Sequence, residues 1–333
     1  MNFEQVLATL AGDRHFTDVD LSGMDLSGRD LTACRFRNVK LVGANLGRAI
    51  LESADFQQVD LSGSNLQAAR VTGAGFLSTS LSGANAAGAD FSQAFFNTCD
   101  FSGASFAGSQ LVRTDTHACT FAGTDFTRAN LHRWTVMDTD LASVTFTGAS
   151  LLQSYLKGCV LTGQDLRSCD LTMTIMNSAQ LQKANLGGAV LDRTSLIGAQ
   201  MQGALLAGVQ GVYTALMDAK LTQADLQNAV FEMADASNAD FGAVRADGAR
   251  WNKSVLQGTD WRRASLRKAR LTWCDLSHAD FSDADCTQAD LEGADVHALK
   301  QNNTRWDGAQ LSSVRATDAE LARAEQWHGR PVK

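Results

Sequence analysis

Seven cysteines, six histidines and 36 acidic residues supply this chain's potential nucleophiles, metal ligands and general acids. A thiolate nucleophile or a zinc site needs these groups at defined short spacings, such as C-x-x-C with a histidine pair. No such spacing occurs. Cys99 and Cys119 lie twenty residues apart, and His117 stands two residues before Cys119, a spacing that turns one side chain outward and the other inward. Asp20, Asp25 and Asp30 are not read as paired carboxylates, because each merely precedes a leucine in a run spaced by five, DLSGMDLSGRDL. GVQG at 208–211 is not a phosphate-binding loop, and neither a zinc motif nor a nucleophile elbow is found. The expected catalytic, cofactor-binding and metal residues are therefore none, and the chain is not expected to be an enzyme.

The elements that would have to position such groups explain their scatter. Stepping by five from Phe16 to Leu321 gives 62 slots, of which 54 hold Leu, Phe, Met, Val or Trp. The exceptions are Ala86, Thr116, Gly211, Ala236, Ala246, Cys286, Gln301 and Ala316. Two residues before each slot, 56 of the 62 positions hold Ala, Cys, Ser, Thr or Val. The frame never slips, so chance is excluded. Five fits neither the strand period of 2 nor the helix period of 3.6, and internal repeats of this kind mark stacked architectures. All seven cysteines fall on these two kinds of slot, which assigns them to packing: Cys34, Cys99, Cys119, Cys159, Cys169 and Cys274 on the small one and Cys286 on the large one.

GANL at 43–46, SADF at 53–56, KANL at 183–186, QADL at 223–226 and SDAD at 282–285 resemble the pentapeptide repeat family, from residue 14 to residue 321. The resemblance implies an all-β fold, a right-handed quadrilateral parallel β-helix. Five residues form each side and twenty form a coil, with the large and small residues pointing inward. About 15 coils spaced about 4.8 Å apart would make a rod roughly 70–75 Å long. One repeat buries one leucine, worth roughly 1.5–3 kcal/mol, against roughly 5–10 kcal/mol for ordering five residues, so stability must come from stacking. Phe16, Phe36, Phe56, Phe76 and Phe96 form a ladder spaced by twenty, and 21 of 28 glycines sit two after a centre, where the chain turns a corner. The expected organisation is an N-terminal cap at 1–13, one β-helix at 14–321 and a C-terminal helical cap and tail at 317–333. Thr317 or Asp318 is expected to start the helix, Gly329 to follow it, and Leu321, Ala324 and Trp327 to cover the last coil. Met24 and Arg29 break the small-residue rule and imply a loosened first coil.

The net charge is −7, and the single proline is Pro331. MNFEQVLATLAG lacks the marks of a signal peptide, and no apolar run approaches a membrane span. A reducing, cytoplasmic, bacterial setting is the expectation. With inside and outside assigned, two adjacent faces, on the rows of Leu151 and Leu156, carry 14 large outward apolar residues between 137 and 273: Met137, Leu152, Tyr155, Met173, Ile175, Val190, Ile197, Val212, Tyr213, Met217, Val230, Met233, Val255 and Trp273. The other two faces carry Val160 and Leu205. Contiguous exposed apolar area marks interaction sites, so this double face is the expected protein or self-association interface, the latter giving a homodimer. Arg245, Arg250, Lys253, Arg262, Arg263, Arg267, Lys268 and Arg270 form a basic belt followed by seven acids between 275 and 295, a candidate electrostatic docking band. The belt is too short and too neutralised for direct nucleic-acid binding to be expected.

The function expected from these features is a non-enzymatic scaffold or adaptor. The tail NNTRWDGA resembles solitary pentapeptide proteins found beside type VI secretion adaptors, which implies an effector or adaptor as partner. The alternatives are DNA mimicry against gyrase, which resemblance to members such as Qnr and MfpA implies and which an acidic series at Asp20, Asp60, Asp100 and Asp140 would serve, and a secreted effector component.

Overall fold

Each repeat has five backbone N–H groups to satisfy, and where Asp or Asn precedes the centre the coil can satisfy all of them. In the repeat centred on Leu46, Leu46 and Arg48 donate to Asn65 and Gln67 of the next coil, at 2.7 and 2.9 Å. Asn45 donates to Met24 of the previous coil at 2.9 Å, and Ala49 closes a turn onto the Leu46 carbonyl at 3.0 Å. Only the N–H of Gly47 is left over, and it donates to the side-chain Oδ1 of Asn45 at 3.1 Å. The preference for Asp or Asn before each centre therefore has a backbone cause: the side chain takes the one N–H that stacking cannot reach. Asp20, Asp60, Asp100 and Asp140 each accept such a bond from the residue two positions on.

The computed structural model describes residues 1–325. Each of its two compact units is a right-handed quadrilateral parallel β-helix, and each carries one short helix. One side is drawn out into strands: β1 (His15–Thr17), β2 (Arg35–Arg37), β3 (Asp55–Gln57), β4 (Gly75–Leu77), β5 (Phe95–Asn97) and β6 (Asp115–His117). They pair in parallel in sequence order, Phe16 opposite Phe36 and Phe36 opposite Phe56. The other sides meet through single parallel bridges twenty residues apart, such as Asn45 to Asn65. The chain forms two compact units, Met1–Gln180 and Leu181–Lys333.

Corners sit two residues after each centre and adopt the left-handed conformation. All 21 corner glycines have positive φ. So do 38 other residues, and all but Arg14 of these occupy the same slot. Coil geometry, rather than glycine itself, sets this conformation, although glycine adopts it with least strain.

In the first unit the phenylalanine ladder stacks with ring centroids 4.5–5.1 Å apart from Phe16 to Phe96. It ends at Thr116, and the indole of Trp134, an unexpectedly large residue in a small slot, packs against Phe121 and Phe126, each at 5.6 Å. In the second unit, breaks in the pattern are compensations. Phe231 fills the place of the side chain that Gly211 lacks, since a Cβ on Gly211 would lie 2.9 Å from its ring. Ala236 and Ala246 alternate along the chain with Phe231, Phe241 and Trp251, and Trp261 stacks on Phe241 at 4.1 Å. Large beside small keeps the interior filled.

The segment expected as the N-terminal cap, 1–13, holds a helix, α1 (Phe3–Ala11). Its signal is a capping box: Asn2 accepts from the N–H of Gln5, and the Gln5 side chain accepts from the N–H of Asn2. Val6 is buried, whereas Met24 and Arg29 in the first coil are not. At the other end α2 (Ala319–Glu325) begins after Asp318, whose carboxylate accepts from Glu320 and Leu321. Its packing differs from expectation. No residue of α2 is buried, and Leu311 and Leu321 are each 49% exposed. Among the described residues α2 does not roof the last coil. Glu325 instead ties it to the side wall at His278 and His297, both at 3.2 Å. Trp327 and Gly329 lie outside the described residues.

Candidate protein-binding surface

The groups best suited to chemistry are placed where chemistry is hard. All seven cysteines are buried free thiols. Burial pushes Cys34 and Cys159 up to about 11 and Cys169, Cys274 and Cys286 to about 12. Several donate to carbonyls of the preceding coil, as Cys169 does to Phe146 at 3.2 Å, and these five act as small packing residues.

One cluster was not foreseen. His278, His297 and Glu325 bring ligand atoms within 4.8 Å of one another. The tautomer decides what they do. His297 Nδ1 accepts the backbone N–H of Asp318 at 3.2 Å, so its proton sits on Nε2 and is donated to Glu325. A metal on Nε2 would move that proton to Nδ1, facing another donor, whereas a histidine ligand normally offers its second N–H to an acceptor. The donor set fits a hydrogen-bonded clasp better than a metal. Hydrogen bonding to His297 holds the Glu325 carboxyl below its ordinary range. The cluster escaped sequence reading because its third member arrives from a helix 28 residues beyond His297.

The fourteen apolar residues predicted to face outward do so, and none is buried. In the first unit Tyr155 and Ile175 are bridged neighbours one coil apart, both half-buried, as are Leu152 and Met173, while Met137 is exposed. The second unit carries the more prominent group. Tyr213, Met233, Lys253 and Trp273 succeed one another at one corner, one per coil. Tyr213 is 54%, Met233 38% and Trp273 61% exposed. Their φ angles are 59°, 54°, 62° and 61°, a conformation that costs a non-glycine residue roughly 1–2 kcal/mol. Gly293 comes next, and a Cβ there would lie 2.7 Å from Trp273 Cδ2. The indole thus rests over a glycine that leaves it room. Val212, Met217 and Ile197 are half-buried, and Val190, Val230 and Val255 line the adjoining slots.

The basic belt is dispersed over several faces. Arg250 and Arg270 are bridged neighbours on the face of Trp251 and share it with the corner ladder. Arg245, Arg267 and Lys268 belong to the side of Leu266, and Arg262 and Arg263 to that of Trp261. Arg245 pairs with Asp225, Arg250 with Glu232, Arg262 with Asp260 and Arg267 with Asp285. Only Lys253, Arg263, Lys268 and Arg270 of the eight carry no ion pair among the described residues.

A pentapeptide repeat region model matches residues 29–106, and a model of pentapeptide repeats in eight copies matches 137–172, 174–209, 216–250, 252–283 and 274–297. The chain belongs to the pentapeptide repeat family. Similar solved structures include HetL, a pentapeptide repeat protein involved in heterocyst differentiation regulation in a Nostoc cyanobacterium. It is 20% identical, with 94% of this chain and 96% of that one covered and a TM-score of 0.23. QnrB1, a plasmid-mediated fluoroquinolone resistance protein, is 15% identical over 69% of this chain and 95% of its own, with a TM-score of 0.36. A thylakoid-lumen protein of Arabidopsis thaliana is 24% identical over 30% of this chain and 72% of its own, with a TM-score of 0.27. No curated protein matches the chain. No helix among the described residues is long and apolar enough to cross a membrane.

Proposed function

We propose that this pentapeptide repeat protein is a non-enzymatic adaptor that holds another protein on the corner ladder of its second unit. The observation that carries the reading is the placement of Tyr213, Met233 and Trp273. Bulky apolar side chains stand exposed in the left-handed corner conformation, where 21 other corners use glycine. Backbone strain retained with exposed apolar surface needs a compensating use, and binding is one. Lys253 within the ladder and Arg270 beside it favour a partner with an apolar centre and an acidic rim. A bacterial secretion effector or its adaptor is the partner class we assign, in a cytoplasmic setting. Self-association through the same ladder is the homodimeric form of this reading.

Tyr213→Asp combined with Met233→Asp tests it. Aspartate tolerates the left-handed region, so the coil should keep its circular dichroism and melting temperature. Affinity purification from the source cell should lose its partner, and light scattering its dimer if the partner is a second copy. Unchanged association would refute the proposal. Inhibition of gyrase supercoiling that survives the double substitution would favour DNA mimicry instead.

A further inference from the structure

We propose that Cys99 and Cys119 are a peroxide-sensitive thiol pair whose oxidation staples two adjacent coils of the first unit. Strands β5 and β6 pair in register, with Asn97 opposite His117. Two residues further on, the two cysteines stack, and the backbone N–H of Cys99 points at the sulfur of Cys119, 3.5 Å away. Neighbouring strands lie about 4.8 Å apart, inside the roughly 4.4–6.8 Å between α-carbons that a disulfide spans. None of Cys34, Cys159, Cys169, Cys274 and Cys286 has a cysteine one coil away. The pair is thus the place where the repeat itself sets two thiols side by side.

The two sulfurs are not equivalent. Cys119 is the more accessible, at 7% against 2% for Cys99. It lines a concavity of about 230 Å³ with Thr120, Phe121, Ala122, Thr139, Asp140 and Ser143, whose polar rim suits a small hydroperoxide. Hydrogen bonding from Cys99, by its thiol and then its backbone N–H, lowers the Cys119 thiol from its ordinary range, and the same pairing with burial raises Cys99. Cys119 is therefore the nucleophile and Cys99 the resolving thiol. The Cys119 thiolate attacks one peroxide oxygen. The S–O bond forms as the O–O bond breaks, and the other oxygen leaves as water or alcohol after taking a proton. The Cys99 sulfur then attacks the Cys119 sulfenic acid. The S–S bond forms, and hydroxide departs with the Cys99 proton as water. The thiols lose two electrons and the peroxide gains two.

The test exposes the folded full-length protein to hydrogen peroxide. Intact mass should fall by two hydrogens, and peptide mapping should join the peptides of Cys99 and Cys119. Cys119 should react at least about tenfold faster than the five isolated cysteines. In Cys99→Ser, a dione probe should trap Cys119 as its sulfenic acid, whereas Cys119→Ser should leave Cys99 as free thiol. Circular dichroism on both variants verifies the fold. The proposal is overturned if both thiols remain alkylatable after peroxide and denaturation, if another cysteine oxidises as fast, or if Cys99 is trapped in Cys119→Ser as readily as Cys119 in Cys99→Ser.

Discussion

Gly211 occupies a slot where the repeat ordinarily places leucine, so restoring a side chain ought to stabilise the protein. The structure predicts the opposite. An added Cβ would meet Thr214 Oγ1 at 2.6 Å and two ring carbons of Phe231 at 2.9 Å. Neither neighbour is free to move: Thr214 donates to the Leu191 carbonyl at 2.9 Å, and Phe231 stacks on Trp251 at 4.7 Å. Gly211 is not in the left-handed region, so Gly211→Ala itself should gain about 0.4–1 kcal/mol through the unfolded chain. Overpacking costs roughly 1–3 kcal/mol, which leaves a net destabilisation of about 1–2 kcal/mol. Phe231→Leu removes the obstructing ring edge, so in the double variant the Gly211 substitution should lose most of its cost. The expected coupling is about 1 kcal/mol or more. Urea unfolding of the four proteins of this cycle, followed by circular dichroism and tryptophan fluorescence, measures it. A Gly211→Ala protein as stable as the parent, or additive effects across the cycle, would refute the account of the core as paired large and small residues.

Tyr213→Gly and Met233→Gly should each stabilise the second unit by about 1 kcal/mol by relieving a left-handed corner, yet abolish partner capture; thermal melting and pull-down on the same samples show both. Asp30 is held at about 2 by the hydroxyl and N–H of Thr32, then by Arg14. Its folded value is below the unfolded one, so its contribution is present above about 3.9 and is lost as pH falls through about 2. Arg14→Ala should raise the Asp30 midpoint in an NMR titration. Glu325→Gln places an amide donor against one of two imidazole donors and should release α2, seen as faster amide exchange over residues 319–325 with the coils unaffected. Because the Glu325 carboxyl is lowered, the native clasp should hold at pH values around its ordinary range and open only further into acid. Opening near neutral pH would refute the hydrogen-bond assignment.

The coil was legible in the sequence because its causes are local and recur. A leucine inward, a small residue two before it, an Asx side chain for the stranded N–H and a corner two after the centre are each visible in a stretch such as GANLGRA. Compensation between coils was not legible in the same way. Gly211 and Trp134 look like errors in a five-residue frame, and only the packing of Phe231 on one and of Phe121 and Phe126 on the other shows why they are tolerated. The clasp was less legible still, because His278, His297 and Glu325 share no period. For the basic belt the sequence overstated continuity: eight bases close together in the chain are turned to successive sides of the coil, and half are already paired.

The apolar ladder stands between these cases. Its outward direction follows from the frame, and the structure adds the conformation in which it is held. A corner accepts almost any residue, as Arg113, Lys183 and Gln223 show, but long polar side chains there remain solvated and leave no apolar surface to account for. Tyr213, Met233 and Trp273 combine left-handed backbone with exposed apolar area in three of four successive coils. Either property alone would be unremarked in a β-helix. Together they oppose both stability and solubility, and Gly293 lies where Trp273 needs room to rest. A set of residues that opposes the fold's own preferences at regular spacing is better explained by what it contacts than by what it packs.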